Sequence, residues 1–146
     1  MRRQFITSII MLACLTAVAA TTVNAQSTRR FIIRIPFEFV VGDRALPAGK
    51  YVVERIDPTK PNVVMLKNTD NGIVRLVITQ RVEKDETTTA SSLIFKRRSG
   101  EFYLFQVWVI GNKDGNQVPP PADENNRSDK HGSSTFVVLK INHERP

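Results

Sequence analysis

The feature that most constrains the fold of this chain is an alternation of apolar and polar residues with a period of two. Every second residue from Phe31 to Val41 is apolar, while Arg34 and Glu38 lie between them. Successive side chains of a strand point to opposite faces, so this pattern predicts a strand with one buried and one solvated face. Pro36 lacks a backbone donor, which predicts that this strand lies at a sheet edge or carries a bulge.

Similar short segments recur along the chain, separated by turn residues such as Leu46-Pro47-Ala48-Gly49. They predict seven strands, at 31–41, 51–56, 63–67, 73–82, 93–97, 101–110 and 135–141. No amphipathic helix pattern interrupts them. Seven strands with short connections predict an all-β fold, either an antiparallel β-sandwich or a small β-barrel.

The clearest local pattern is Asn71-Gly72, which lies between two apolar segments. This pair accepts the positive φ angles of a two-residue hairpin turn, so the flanking strands are expected to pair antiparallel. The alternation assigns these residues to the inner face of the strand that follows the turn: Val74, Leu76, Ile78 and Val82. Arg75, Thr79 and Arg81 are then expected to face mostly outward.

The segment from Phe102 to Ile110 is apolar on both faces, apart from Gln106 and the hydroxyl of one tyrosine. An antiparallel strand with one solvated face alternates, and this one does not. We expect its second face either to be covered by the chain itself or to contact a ligand or partner. The residues of that face are Tyr103, Phe105, Val107 and Val109.

Residues 111–134 predict a long polar loop that contains Pro119-Pro120-Pro121. A loop of this length in a compact domain is either a mobile insertion or a functional one. Asn112, Asp114 and Asn116 have offsets that resemble a calcium loop only in part, because Gln117 stands where that loop needs glycine.

The first 25 residues predict a secretory signal peptide. Arg2 and Arg3 precede an apolar stretch at 5–20, and Val23-Asn24-Ala25 offers small residues for cleavage. A membrane anchor fits less well, since the stretch is marginal in length for a span. The general and twin-arginine export routes both remain open. Cleavage near Ala25 would leave a single periplasmic or secreted β-domain at 26–146, without the only cysteine, Cys14.

The formal net charge of +7 falls by two when Arg2 and Arg3 leave with the signal peptide. Outside the membrane, a basic surface is expected to meet an envelope protein, an acidic glycan or anionic lipid rather than nucleic acid. A possible basic patch is Lys96-Arg97-Arg98, which follows Phe95 in the sequence. The oligomeric state is left open.

Catalytic motifs and cofactor fingerprints do not occur in the sequence, so no cofactor or metal is expected. His131 and His143 lie in the predicted loop and near the C-terminus, without a second histidine at ligand spacing. Carboxylates that could pair for glycoside hydrolysis are Glu38, Glu54, Asp85, Glu86 and Glu101.

Two motifs resemble a known group of proteins. The segment Ile35-Pro36-Phe37-Glu38-Phe39-Val40-Val41-Gly42-Asp43 precedes Leu46-Pro47-Ala48-Gly49-Lys50-Tyr51. Together with the apolar segments up to Trp108, they resemble a group of short exported bacterial proteins of uncharacterised function. The resemblance implies export and a β fold, and it implies no activity.

The sequence therefore favours an exported, non-enzymatic binding or structural module of the cell envelope. A carrier of a small hydrophobic ligand or lipid is the first alternative. A carboxylate-dependent hydrolase of envelope glycans is the second.

Overall fold

The computed structural model of the protein describes residues 30–57, 59–121 and 135–141. The predicted signal peptide, His131 and His143 lie outside these ranges. In chain order the strands are β1 (Arg30–Ile35), β2 (Phe39–Val41), β3 (Arg44–Leu46), β4 (Gly49–Asp57), β5 (Lys60–Asn68), β6 (Val74–Ile78), β7 (Gln80–Glu83), β8 (Ser92–Arg98), β9 (Glu101–Trp108), β10 (Asp114–Gln117) and β11 (Thr135–Lys140). In the described ranges, no helix is long and apolar enough to cross a membrane.

The strands form two sheets. The four-stranded sheet is antiparallel in the order β1-β4-β5-β6. The seven-stranded sheet has the order β11-β8-β9-β10-β7, with β2 beside β9 and β3 beside β2. The pairing of β2 with β9 is parallel and joins Val40 to Tyr103, whereas the other pairs of this sheet are antiparallel.

The facing sides of the two sheets enclose one apolar core, which confirms the all-β prediction and its sandwich alternative. Phe39 of the larger sheet meets Tyr51 of the smaller one edge-on, with ring centroids 5.3 Å apart. The Tyr51 hydroxyl donates to the Pro47 carbonyl at 2.7 Å. Burial, the main cause, raises the pKa of Tyr51 above its ordinary value of 10.0.

A buried asparagine joins the sheets by hydrogen bonds. The Asn116 side chain, 2% exposed, donates to the Pro61 carbonyl at 2.7 Å and to Thr79 Oγ1 at 2.8 Å. Its Oδ1 accepts from Arg55 Nε at 2.8 Å. Both the nitrogen and the oxygen of this amide therefore form hydrogen bonds to the smaller sheet or to the segment that leaves it. These bonds satisfy polar groups that burial would otherwise leave unpaired.

The predicted first strand divides at Pro36. β1 is an edge strand of the smaller sheet, as the proline predicted, but β2 belongs to the larger sheet. Between them Phe37 stacks on Phe102 at 3.9 Å between centroids. The predicted strand at 73–82 divides in the same way at Thr79, and β3 and β10 are additional, so seven predicted strands become eleven in the described ranges.

The hairpin at Asn71-Gly72 pairs β5 with β6 as predicted, but a two-residue turn is wrong. The backbone N–H of Asn68 donates to the Ile73 carbonyl at 2.8 Å, so four residues form the loop. The Asn68 side chain accepts from the backbone N–H of Asp70 at 2.8 Å. This side-chain contact stabilises a longer turn in which only Gly72 has a positive φ.

The inner face predicted for the strand after this turn is also wrong. Leu76 and Ile78 are 54% and 72% exposed, whereas Val77 is 7% exposed in the core. Val77 pairs with the buried Val64 of β5, so the odd-numbered residues of β6 face the core. Val74, Leu76 and Ile78 therefore lie on the opposite face and are exposed.

Three further residues differ from the predicted arrangement around this strand. Thr79 is 4% exposed, and Arg75 is half-buried, with Nη2 2.6 Å from Asp43 Oδ1. Both had been expected to face outward, as Arg81 does. Val82 belongs to the larger sheet, where it pairs with Gly115.

The predicted loop at 111–134 begins with structure of its own. β10 occupies Asp114–Gln117 and pairs with both β9 and β7. Val118, which follows it, is 3% exposed in the core. Residues 122–134 lie outside the described ranges.

Candidate functional site

A β-bulge in β9 shapes the outer face of the seven-stranded sheet. Ile94 pairs with Gln106, and the next residue of β8, Phe95, pairs with Leu104. Phe105 is therefore the extra residue of β9, and such bulges re-aim side chains. As a result, Leu104 is buried in the core while Phe105 is only partly covered.

The bulge separates the four residues that the sequence placed on one face. Val107 and Val109 are 1% and 2% exposed and belong to the core. Tyr103 and Phe105 are half-buried and line a pocket on the outer side. The strand is thus covered by its own chain at one end and open to a ligand at the other.

This pocket has a volume of about 250 Å³ and lies where the extension of β10 approaches β2 along the same edge of β9. The backbone N–H of Val118 donates to the Phe105 carbonyl at 2.9 Å, which holds the chain against the bulge. Pro119–Pro121 continue from there as one wall of the pocket, and Val40 lines it from β2. Residues of four strands, β2, β8, β9 and β10, and a proline segment with restricted φ angles therefore frame the pocket.

The lining is mainly apolar, with a few polar groups. Tyr103, Phe105 and the three prolines supply flat apolar surface, and Lys96 and Gln117 supply polar groups. The Tyr103 hydroxyl donates to Glu101 Oε2 at 2.6 Å, and this hydrogen bond orients the tyrosine ring. Apolar walls with few polar groups are typical of small-molecule sites.

An apolar strip continues from the pocket onto the edge strand β11. The rings of Phe105 and Phe136 lie 5.5 Å apart. Phe136 and Val138 are 52% and 46% exposed. A ligand larger than the pocket would meet further apolar surface on this side.

The predicted basic patch is divided by the alternation of β8. Lys96 pairs with Tyr103 and lines the pocket. Arg97, one residue later, points to the other side and lies over the Phe102 ring at 5.6 Å from its centroid. Arg98 alternates to the same side of β8 as Lys96, and of the three residues only Lys96 lines the pocket.

The predicted carboxylates are distributed over different elements. Glu54 is on β4, Glu101 is at the start of β9, and Glu38 lies between β1 and β2. Asp85 and Glu86 are in the connection from β7 to β8. Among the described residues, no group of three or more histidine, cysteine or acidic side chains could hold a metal ion.

Val40 and the proline wall were not predicted as site residues. Val40 lies on the mixed face of the first alternation, which also contains Ile32 and Pro36, so the pattern does not single it out. Pro119–Pro121 were predicted only as part of a loop. No protein family, curated protein or solved structure matches the chain.

Proposed function

We propose that the chain is an exported, non-enzymatic binding module of the cell envelope, and that its pocket takes a small amphipathic ligand. The ligand would have an apolar body and an anionic end. The observation that carries this proposal is the apolar pocket at the β9 bulge. Export itself rests on the pattern of residues 1–25.

The shape of the pocket supports an apolar body. Its volume of about 250 Å³ lies just below the common range of ligand pockets, which begins at about 300 Å³. A small ring or a short alkyl segment fits such a volume, and a longer apolar body would extend over Phe136. The bulge and the prolines form the pocket before a ligand arrives, so little ordering is needed on binding.

The charge of the pocket supports an anionic end. Lys96 is the cationic residue of the lining, and the formal net charge of +7 is still +5 after Arg2 and Arg3 leave with the predicted signal peptide. A positive protein attracts anionic ligands and raises their local concentration. A fatty acid and an aromatic acid share this chemistry, and both are candidate ligand classes.

Binding can be tested with 1-anilinonaphthalene-8-sulfonate, which joins an apolar ring system to an anionic group. The protein should be the chain as an expressing host processes it, with its N-terminus read by mass spectrometry. We expect saturable binding at one site. Phe105→Ala and Lys96→Gln should each weaken it, by about tenfold for the lost apolar contact and somewhat less for the charge.

Phe136→Ala is the matched control, because Phe136 contacts Phe105 but does not line the pocket. Its effect on the affinity for the probe should be smaller than that of Phe105→Ala. Equal effects of the two replacements, or binding that survives both pocket replacements, would contradict the proposed site. Circular dichroism of each variant separates a lost contact from a lost fold.

A purely structural envelope module without a ligand is the alternative. Native mass spectrometry of the processed chain distinguishes the two, because it reports retained guests and subunit number together. A retained amphipathic guest supports carriage, and a bare chain that also fails to bind the probe supports the structural role.

A further inference from the structure

The outer face of the four-stranded sheet exposes an unusual amount of apolar surface. Its large exposed apolar side chains are Ile32, Ile56, Val74, Leu76 and Ile78, between 45% and 72% exposed. The strand register places Ile32, Val74, Leu76 and Ile78 on one side of the sheet together with Val52 and Met65, and Ile56 lies in the register shift near the end of β4. We refer to this surface as the β6 face, because its three most exposed members lie on that strand.

A contiguous exposed patch of this kind marks an interaction site more often than scattered single residues do. The inner side of the same strands is already packed in the core, through residues such as Val64, Leu66 and Val77. The apolar side chains of the β6 face are therefore additional to those that the fold needs.

Basic residues accompany the patch on the same side of the sheet. Arg30 and Arg34 lie on β1, Lys50 on β4 and Lys67 on β5, and all four are exposed. Register fixes their positions: Lys67 stands between Val52 and Val74, and Arg34 pairs with Lys50. Among the side chains that the structure describes in β1, β4, β5 and β6, Glu54 is the one acidic residue that alternates onto this face, and it is half-buried. The face thus combines apolar side chains with an excess of positive charge.

We infer that the β6 face docks on an anionic lipid surface. Apolar side chains enter the boundary between headgroups and acyl chains, and lysine and arginine contact the anionic headgroups. In this orientation, the apolar and the cationic side chains of the β6 face contact the lipid surface together. This inference is independent of the pocket, which lies on the outer side of the other sheet.

A second copy of the chain fits this face less well. Stacking two β6 faces would bring two sets of four cations together, which opposes association. Pairing two β6 edges would join strands of only five residues. Such a contact is expected to bury less than the roughly 1,200 Å² of a stable interface. Charge complementarity therefore favours an anionic surface over self-association.

The test is binding of the host-processed chain to two kinds of vesicle, one containing phosphatidylglycerol and one of phosphatidylcholine alone. We expect binding to the anionic vesicles that weakens as salt is raised. Leu76→Ser with Ile78→Ser should reduce this affinity on the order of a hundredfold, since both side chains lose apolar burial. Arg34→Gln with Lys67→Gln should reduce it about fivefold for each charge removed.

The matched control is Phe136→Ser with Val138→Ser. These residues are comparably exposed on an edge strand, but of the other sheet. The control pair should leave vesicle affinity within about twofold of the unchanged chain. Equal loss from both pairs would mean that any exposed apolar side chain suffices, and it would overturn the assignment.

Absence of binding to either vesicle would also overturn the inference. Analytical ultracentrifugation of the same samples identifies the competing outcome, a dimer that Leu76→Ser with Ile78→Ser dissociates. Because the probe assay reports the pocket and the vesicle assay reports the β6 face, failure of one proposal is distinguishable from failure of the other.

Discussion

The two outer faces of the sandwich differ in how much of their apolar surface the chain covers. On the seven-stranded sheet, Trp108 is only 2% exposed, because it lies against the backbone of Gly115 and under Lys84, whose Nζ is 3.9 Å from the ring centroid. On the four-stranded sheet, the described part of the chain gives Leu76 and Ile78 no comparable cover, and both remain more than half exposed.

The difference follows from local irregularity. The larger sheet contains a bulge at Phe105, a glycine beneath a tryptophan and a run of prolines. The bulge and the prolines shape the pocket, and the glycine leaves room for the tryptophan ring to pack against the sheet. The smaller sheet has one register shift, between Arg55 and Asp57 near the end of β4, and its other paired segments keep a regular alternation. A concave ligand site and an open docking face can thus arise on the same sandwich.

The largest expected effect tests whether the buried side chain of Trp108 stabilises the fold while the exposed side chain of Leu76 does not. Trp108→Ala should lower the free energy of unfolding by about 3–5 kcal/mol, because it removes a large buried side chain. Leu76→Ala should change it by about 1 kcal/mol or less, since that side chain is already 54% exposed. Urea unfolding measures both, and similar values for the two would break the comparison.

A second prediction concerns the hydrogen bonds by which Asn116 joins the two sheets. Asn116→Leu should lower the free energy of unfolding by about 2–4 kcal/mol, because the partners of the amide in the other sheet lose their hydrogen bonds. Asn112→Leu is the control, since the Asn112 amide makes only contacts at the 3.5 Å limit. Urea midpoints that shift equally for the two asparagines would show that the buried bridge carries no special stability.

A third prediction tests the cover of Trp108. A Cβ at position 115 would lie 2.7 Å from the indole ring, closer than packed atoms allow. Gly115→Ala should therefore lower the free energy of unfolding by about 1–3 kcal/mol. The same replacement should have a smaller effect in a Trp108→Leu background, which removes the obstructing ring. Additive effects in thermal or urea unfolding would refute a direct contact as the cause.

The smallest expected effect is on the free energy of unfolding at alkaline pH. It comes from Tyr51 in the core and does not depend on either outer face. The pKa of Tyr51 is raised above 10.0 in the folded chain, so the unfolded chain loses this proton at lower pH than the folded one. The free energy of unfolding should fall as pH rises from 10.0 toward the raised pKa. Tyr51→Phe removes this contribution, and its stability should decline less steeply over that interval. An identical decline in both proteins would contradict the assignment.

The fold class was predictable because alternation and turn residues are local properties of the sequence. Pro36 illustrates the limit. The proline predicted a strand at a sheet edge or with a bulge, and β1 is an edge strand, but the sequence does not indicate that the chain changes sheet there. The faces of β6 were assigned wrongly because Val74, Leu76 and Ile78 are apolar without being buried, and alternation alone does not show which face of a strand meets the core.

The four residues of the predicted ligand face lie in two different places. Tyr103 and Phe105 line the pocket, whereas Val107 and Val109 are in the core. The bulge that separates them depends on the pairing of β9 with β8, a contact between chain segments that alternation alone does not encode. For the same reason, Pro119–Pro121 were predicted as loop residues and not as a wall.

The most direct test of the account is a titration of the isotope-labelled, host-processed chain with the anilinonaphthalene probe, followed by amide chemical shifts. The account predicts shifts at Val40, Tyr103 and Phe105, with the amides of Val74–Ile78 unchanged. Shifts centred on Val74–Ile78, with the pocket residues unchanged, would contradict the central claim that the bulged face of the larger sheet is the ligand site.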